Sequence, residues 1–133
     1  MITAGIDIGS ITAKAVLIEE SRILGFRVIS TGYNPKQAGE SVLDELLQSC
    51  SVRRGDIAVV VATGYGRKTV SFADKAITEI TCHGAGAHFI DPEVRFIIDI
   101  GGQDSKVMQL DGQGMVTRFE MNDKCAAGTG RFL

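Results

Sequence analysis

The chain has 133 residues, room for one modest core but not for a multi-domain machine. Hydrophobic residues make up 44% and charged residues 23%, which excludes the apolar-poor, highly charged composition of a disordered chain. With 14 Lys and Arg against 16 Asp and Glu the net charge is -2, so no general electrostatic pull toward nucleic acid or anionic membrane is expected. Apolar runs such as residues 57–62 fall far short of the ~18 residues a bilayer span needs. Met1-Ile2-Thr3-Ala4 lacks the basic opening of a signal peptide, and a cytoplasmic location is expected, with neither nucleic acid nor membrane as partner.

In chain order, residues 3–7 read as a buried strand, Gly9-Ser10 as a turn and residues 13–19 as a second strand of alternating character, together a hairpin. Residues 22–31 form a third strand-like run. Pro35 then precedes a helical pattern that puts Ala38, Val42, Leu43, Leu46 and Leu47 on one face and ends near Cys50. The apolar, β-branched run 57–62 suits a central parallel strand covered on both faces, and it leads directly into Thr63-Gly64-Tyr65-Gly66-Arg67. Short helices are expected within residues 68–89, around Ile77-Thr78-Glu79-Ile80-Thr81, before a break at Pro92.

A repeat changes the reading. The run I-D-I-G-S-I-T-A-K that starts at Ile6 returns at Ile98 as I-D-I-G-G-Q-D-S-K. Each copy predicts a strand ending in Asp, a glycine turn and a Lys-containing second strand (13–19 and 105–110), followed by a third (22–31 and 115–121). The organisation expected is a first α/β unit over residues 1–91 and the start of a second over 92–133, with three strands and a helix start. The second unit looks truncated, and its strands lack the helices that would cover one face.

A tight glycine turn between antiparallel strands presents unobstructed backbone N–H groups to phosphate oxygens. A carboxylate at the strand end, Asp7 or Asp99, suits Mg²⁺ or its water shell. One such turn alone is equally an ordinary hairpin whose Asp satisfies turn N–H groups; two copies favour a phosphate clamp. The cysteines, Cys50, Cys82 and Cys125, include no C-x-x-C pair, which argues against a disulfide framework or a self-contained zinc site. Asn122 or Asp123 suits an N-cap, which would place the Cys125 thiol at the positive end of a helix dipole, where it ionises readily to a metal-ligating thiolate. A small buried residue at a helix start is the alternative. Gly64-Tyr65-Gly66 falls short of a dinucleotide fingerprint because Thr69 holds the third glycine's place. Cys82 and His83 lack a second ligand pair nearby, so no metal is expected there.

The paired turns resemble the two phosphate loops of the acetate and sugar kinase, heat-shock protein and actin superfamily. More narrowly, A-T-G-Y-G-R (62–67), D-I-G-G-Q-D-S-K (99–106) and N-D-K-C-A-A-G-T-G-R-F-L (122–133) resemble the ATP-hydrolysing activators of 2-hydroxyacyl-CoA dehydratases and the related benzoyl-CoA reductase ATPase subunits. The resemblance runs the full length of the chain. It implies an α/β, ribonuclease H-like fold of the actin-like ATPase type, with the first subdomain and the opening strands of the second. It also implies ATP, Mg²⁺ and one [4Fe–4S] cluster per homodimer. ATP hydrolysis would then drive low-potential electrons from a donor such as ferredoxin or flavodoxin into a partner dehydratase or reductase.

By position, the resemblance assigns Asp7, Gly9, Ser10, Thr12 and Lys14 to the first phosphate loop. It assigns Asp99, Gly101, Gly102, Gln103 and Asp104 to the second, with Asp7 and Asp99 toward the metal. Gln103 would orient the attacking water. Glu79 stands close to where the superfamily places an acidic residue near that water, or else is an exposed Glu on a connecting segment. Cys125 would ligate the cluster. The family's complete subunit is longer, so the adenosine-binding half is expected to be missing and this piece to be inactive alone. A small-molecule kinase and a non-catalytic remnant or interaction module are the competing functions. The kinase should add an acceptor-binding Asp base, and the remnant should bind neither nucleotide nor iron.

Overall fold

The computed structural model describes residues 1–101 and 104–122. Its contacts divide the chain into two compact units between Glu79 and Ile80.

The first unit carries β1 (Ile2–Ile8), β2 (Thr12–Glu19), β3 (Arg22–Ser30), α1 (Pro35–Cys50), β4 (Ile57–Thr63) and the two-residue β5 (Lys75–Ala76), in the sheet order β3-β2-β1-β4-β5. β1 runs antiparallel to β2 and parallel to β4. Antiparallel first three strands and parallel later ones in this order are the ribonuclease H-like arrangement that the resemblance implies.

Alternation in β1 and β2 sends Ala4, Ile6, Ile8, Ala13, Ala15 and Leu17 to one face, where Val60 and Ala62 of β4 join them in register. The alanines leave room for Val42, Leu43, Leu46 and Leu47 of α1, so small strand residues interdigitate with large helix residues. α1 starts where the Asn34 side chain accepts the Gln37 N–H and Pro35 takes the first turn. It stops at Cys50 because Ser51 adopts a left-handed conformation, φ 56°. The other face of this sheet is open, with Phe26 and Val28 exposed and Val59 and Val61 only half-buried. The expected cover on both faces of β4 is thus met on one, because α1 packs on one side only.

The second unit holds α2 (Glu79–Ile90), apart from its first residue, and an antiparallel sheet of β6 (Phe96–Ile100), β7 (Ser105–Leu110) and β8 (Val116–Asn122). A single helix replaces the short helices expected around Ile77. It belongs with the second sheet rather than with residues 1–91, because Gly84 packs flush on that sheet. A Cβ there would lie 2.7 Å from Val116 Cγ2 and 3.1 Å from Leu110 Cδ2. Met108 and Leu110 are buried beneath it, while Phe96, Ile98 and Ile100 are exposed on the opposite face.

The β7–β8 turn is pinned by Asp111, whose carboxylate accepts the N–H groups of Met115 at 3.0 Å and Gln113 at 2.8 Å. Those bonds, Met115 first, hold its carboxyl below the ordinary value of 3.8. A carboxyl depressed in the folded state adds stability above its unfolded pKa and loses it as pH falls through the folded one. Urea unfolding from pH 6 to pH 2 is expected to show a destabilisation on acidification that is smaller in Asp111→Ala, a variant less stable than the parent at neutral pH.

Candidate functional site

The first hairpin brings together the residues singled out in the sequence. Asp7 lies opposite Lys14 across the β1–β2 ladder, with Lys14 Nζ 3.5 Å from Asp7 Oδ2. The Gly9 N–H donates to Thr12 O at 2.9 Å, and Thr31 ties the turn to the end of β3 by donating its hydroxyl to Gly9 O at 2.8 Å and its N–H to Ile11 O at 2.9 Å. The glycine N–H is therefore consumed within the hairpin rather than unobstructed. The donors left for a ligand are the Ser10 and Ile11 N–H groups, which make no hydrogen bond among the described residues, and the half-exposed Lys14 ammonium.

The second hairpin repeats the carboxylate–lysine pair and the glycine bond. Asp99 pairs with Lys106, Lys106 Nζ lies 3.4 Å from Asp99 Oδ2, and the Gly101 N–H donates to Asp104 O at 2.8 Å. Of the four positions at which the copies differ, one bears on the lysine: Asp104 stands where the first has Thr12, and its Oδ1 lies 3.4 Å from Lys106 Nζ. Lys106 is consequently buried between two carboxylates, its side chain 6% exposed against 43% for Lys14. Burial works to lower its pKa, but the attraction of Asp104 and the bonds to Asp99 and Asp104 outweigh burial and hold the ammonium above its ordinary value. The tip residues Gly102 and Gln103 lie outside the described residues, as does Cys125.

Two features of the site escaped the sequence reading. His83 of α2 places Nδ1 3.6 Å from Asp99 Oδ2, so a residue noted only for its cysteine neighbour stands against the second strand-end carboxylate. The segment read as a failed dinucleotide fingerprint is a brace for β1: the Gly66 N–H donates to Ile8 O at 2.9 Å. A Cβ on Gly64, whose φ is +91°, would collide with Asp7 Oδ1 and approach Ile8 O at 2.5 Å and Ile8 N at 2.8 Å. The signal was the pair of glycines directly after a buried strand. Beyond that brace, Tyr65, Gly66, Arg67, Lys68, Thr69 and Glu79 line a cavity of about 350 Å³. Glu79 is half-buried on its wall rather than fully exposed.

Each hairpin offers one strand-end carboxylate beside a turn, and magnesium at nucleotide sites takes one or two carboxylates together with phosphate oxygens. The donor set fits such an ion only in company with a phosphate ligand. Among the described residues no three His, Cys, Asp or Glu side chains cluster to hold a metal by themselves, and Cys50 and Cys82 are free thiols. Among the same residues no helix is long and apolar enough to cross a membrane.

Sheet order and duplicated hairpins define a chain of the ribonuclease H-like, actin-like ATPase fold. The sequence profile of the BadF/BadG/BcrA/BcrD ATPase family matches residues 4–133, and the chain belongs to that family. It is 47% identical over 134 residues to the activator of lactoyl-CoA dehydratase of Anaerotignum propionicum, covering 100% of this chain and 51% of that protein. The crystal structure of component A of the (R)-2-hydroxyglutaryl-CoA dehydratase of Acidaminococcus fermentans superposes with a TM-score of 0.89 at 41% identity, over 99% of this chain and 51% of that one. The Clostridium difficile activator of 2-hydroxyisocaproyl-CoA dehydratase, solved with bound ADPNP, gives 0.85 at 50% identity, over 99% and 49%. The chain thus spans about half the length of the curated relatives it matches.

Because Gly64 combines a left-handed backbone with no space for a side chain, Gly64→Ala is expected to destabilise the first unit by roughly 1–3 kcal/mol. Urea denaturation checks this. A variant as stable as the parent would show that the brace does not press on β1.

Proposed function

We propose that this chain is the phosphate-gripping part of an ATP-hydrolysing activator serving a 2-hydroxyacyl-CoA dehydratase or a related reductase. The observation that carries the reading is the duplicated hairpin, in which a strand-end carboxylate, a glycine turn and a cross-strand lysine recur with the same hydrogen bond. Relatives named as dehydratase activators and a similar structure with bound ADPNP support it.

In this reading the Ser10 and Ile11 N–H groups and the Lys14 ammonium bind phosphate oxygens. Asp7 at the first turn and Asp99 at the second are each a carboxylate that would hold magnesium or its water shell, and magnesium would supply charge neutralisation at the phosphates. Lys106, clamped by Asp104, fixes the direction of Asp99, and His83 supports that carboxylate from α2. Gln103 orients the attacking water and Glu79 takes the acidic position near it. Cys125 would be this chain's residue for holding a [4Fe–4S] cluster in a homodimer, which would supply low-potential electron transfer between a ferredoxin- or flavodoxin-type donor and the partner enzyme. The two units correspond to the first subdomain and the start of the second, in a protein of the cytoplasm. A small-molecule kinase is disfavoured, because the second turn's extra acid, Asp104, is engaged with Lys106 rather than free to act as a base toward an acceptor.

Calorimetric titration of the chain with Mg²⁺·pyrophosphate and with Mg²⁺·ATP tests the reading. Both ligands are expected to bind, and Asp7→Asn to weaken each by about tenfold, or ~1.4 kcal/mol. Equal affinity in Asp7→Asn would remove Asp7 from the site.

A further inference from the structure

Thr63 closes β4 in register with Asp7 of β1. Paired residues on neighbouring parallel strands point to the same face of the sheet. Thr63 therefore stands on Asp7's side, opposite the face that α1 covers. Its hydroxyl oxygen is buried and has no hydrogen-bond partner among the described residues. A hydroxyl carries one donor and two acceptor positions, and leaving all of them dry costs free energy, so a buried orphan in a folded protein calls for an explanation.

Packing does not supply one, since a valine would fill the same space without an orphan. His88 Nδ1 shares the condition, but it lies in the second unit, where the His88 ring packs on the Gly114 turn and no assigned ligand-binding residue stands beside it. Thr63, by contrast, adjoins the strand-end carboxylate. That carboxylate has neighbours on two sides: Gly64 lies so near that a Cβ there would collide with Oδ1, and Oδ2 faces Lys14. Thr63 flanks that carboxylate from the next strand.

We propose that Thr63 is a further binding residue of this site, its hydroxyl accepting a hydrogen bond from the water shell of the divalent cation that Asp7 holds with a phosphate ligand. The assignment rests on the phosphate-gripping reading above and adds a residue to it. The orphan is then an atom left unpaired by the chain so that the hydrated ion pairs it.

The test is titration of Mg²⁺·pyrophosphate into the parent chain, Asp7→Asn, Thr63→Val and Thr63→Ser, with the thermal midpoint of each recorded without ligand. Thr63→Val is expected to bind about five- to tenfold more weakly. Thr63→Ser should stay within about twofold of the parent by the same argument. The unliganded midpoint of Thr63→Val should be no lower than the parent's, since its orphan is gone. If Thr63→Val binds like the parent while Asp7→Asn does not, the Thr63 assignment falls and the phosphate reading stands. If the parent itself does not bind, both fall. A Thr63→Val chain that melts several degrees lower, or a Thr63→Ser that fails to restore binding, would show the hydroxyl to be structural and overturn the assignment.

Discussion

The hairpin register on which the site depends is set by one backbone hydrogen bond, from the glycine N–H to the carbonyl three residues on, made by Gly9 to Thr12 and by Gly101 to Asp104. That bond closes the turn tightly enough for a strand-end Asp to face a Lys on the returning strand. A slip of β1 by one residue would turn Asp7 to the α1 side and send Ile6 and Ile8 to the open face, and a slip of β2 would turn Lys14 under α1, where an unpaired charge is far more costly than on the open face. The apolar alternation and the charge pair therefore enforce the same register. Glycine serves at this corner because a Cβ on Gly9 would sit 3.0 Å from Thr12 O.

The two copies differ in how tightly the lysine is held. Lys14 has one carboxylate partner and remains accessible, which leaves its charge available to an incoming anion. Lys106 has two and is nearly excluded from solvent, and those carboxylates hold it in its charged form against the effect of burial. A buried ammonium between two acids is a poor anion receptor but a rigid strut. One turn thus presents a cation to the ligand, whereas the other uses its cation to fix Asp99, with His83 near the same carboxylate oxygen. The division follows from a single position, Thr12 in the first copy and Asp104 in the second.

Local signals carried much of this. β1 to β3 and α1 were legible because alternation at period two, then a 3.6-residue apolar stripe after Asn34-Pro35, are properties of neighbouring residues. The repeat makes both hairpins legible from the sequence. α2 was not legible as one helix, since E-I-T-C-H-G-A-G-A-H-F-I has small or apolar residues on every side and two glycines inside it. Pro92 looked like a boundary, but Gly84 packs α2 onto the second sheet, so the division falls before the helix. The brace at Gly64 and Gly66, the approach of His83 to Asp99 and the orphan at Thr63 all arise between residues distant in sequence, where pattern within one segment carries no information.

The central claim is that the glycine hairpins themselves meet the phosphates. Backbone amide NMR of the chain during titration with Mg²⁺·pyrophosphate tests it most directly. The account predicts that the largest shifts fall on Ser10 and Ile11, with smaller ones at Thr63 and Gly101. Shifts confined to α1 or β8, with the hairpin tips unmoved, would contradict it.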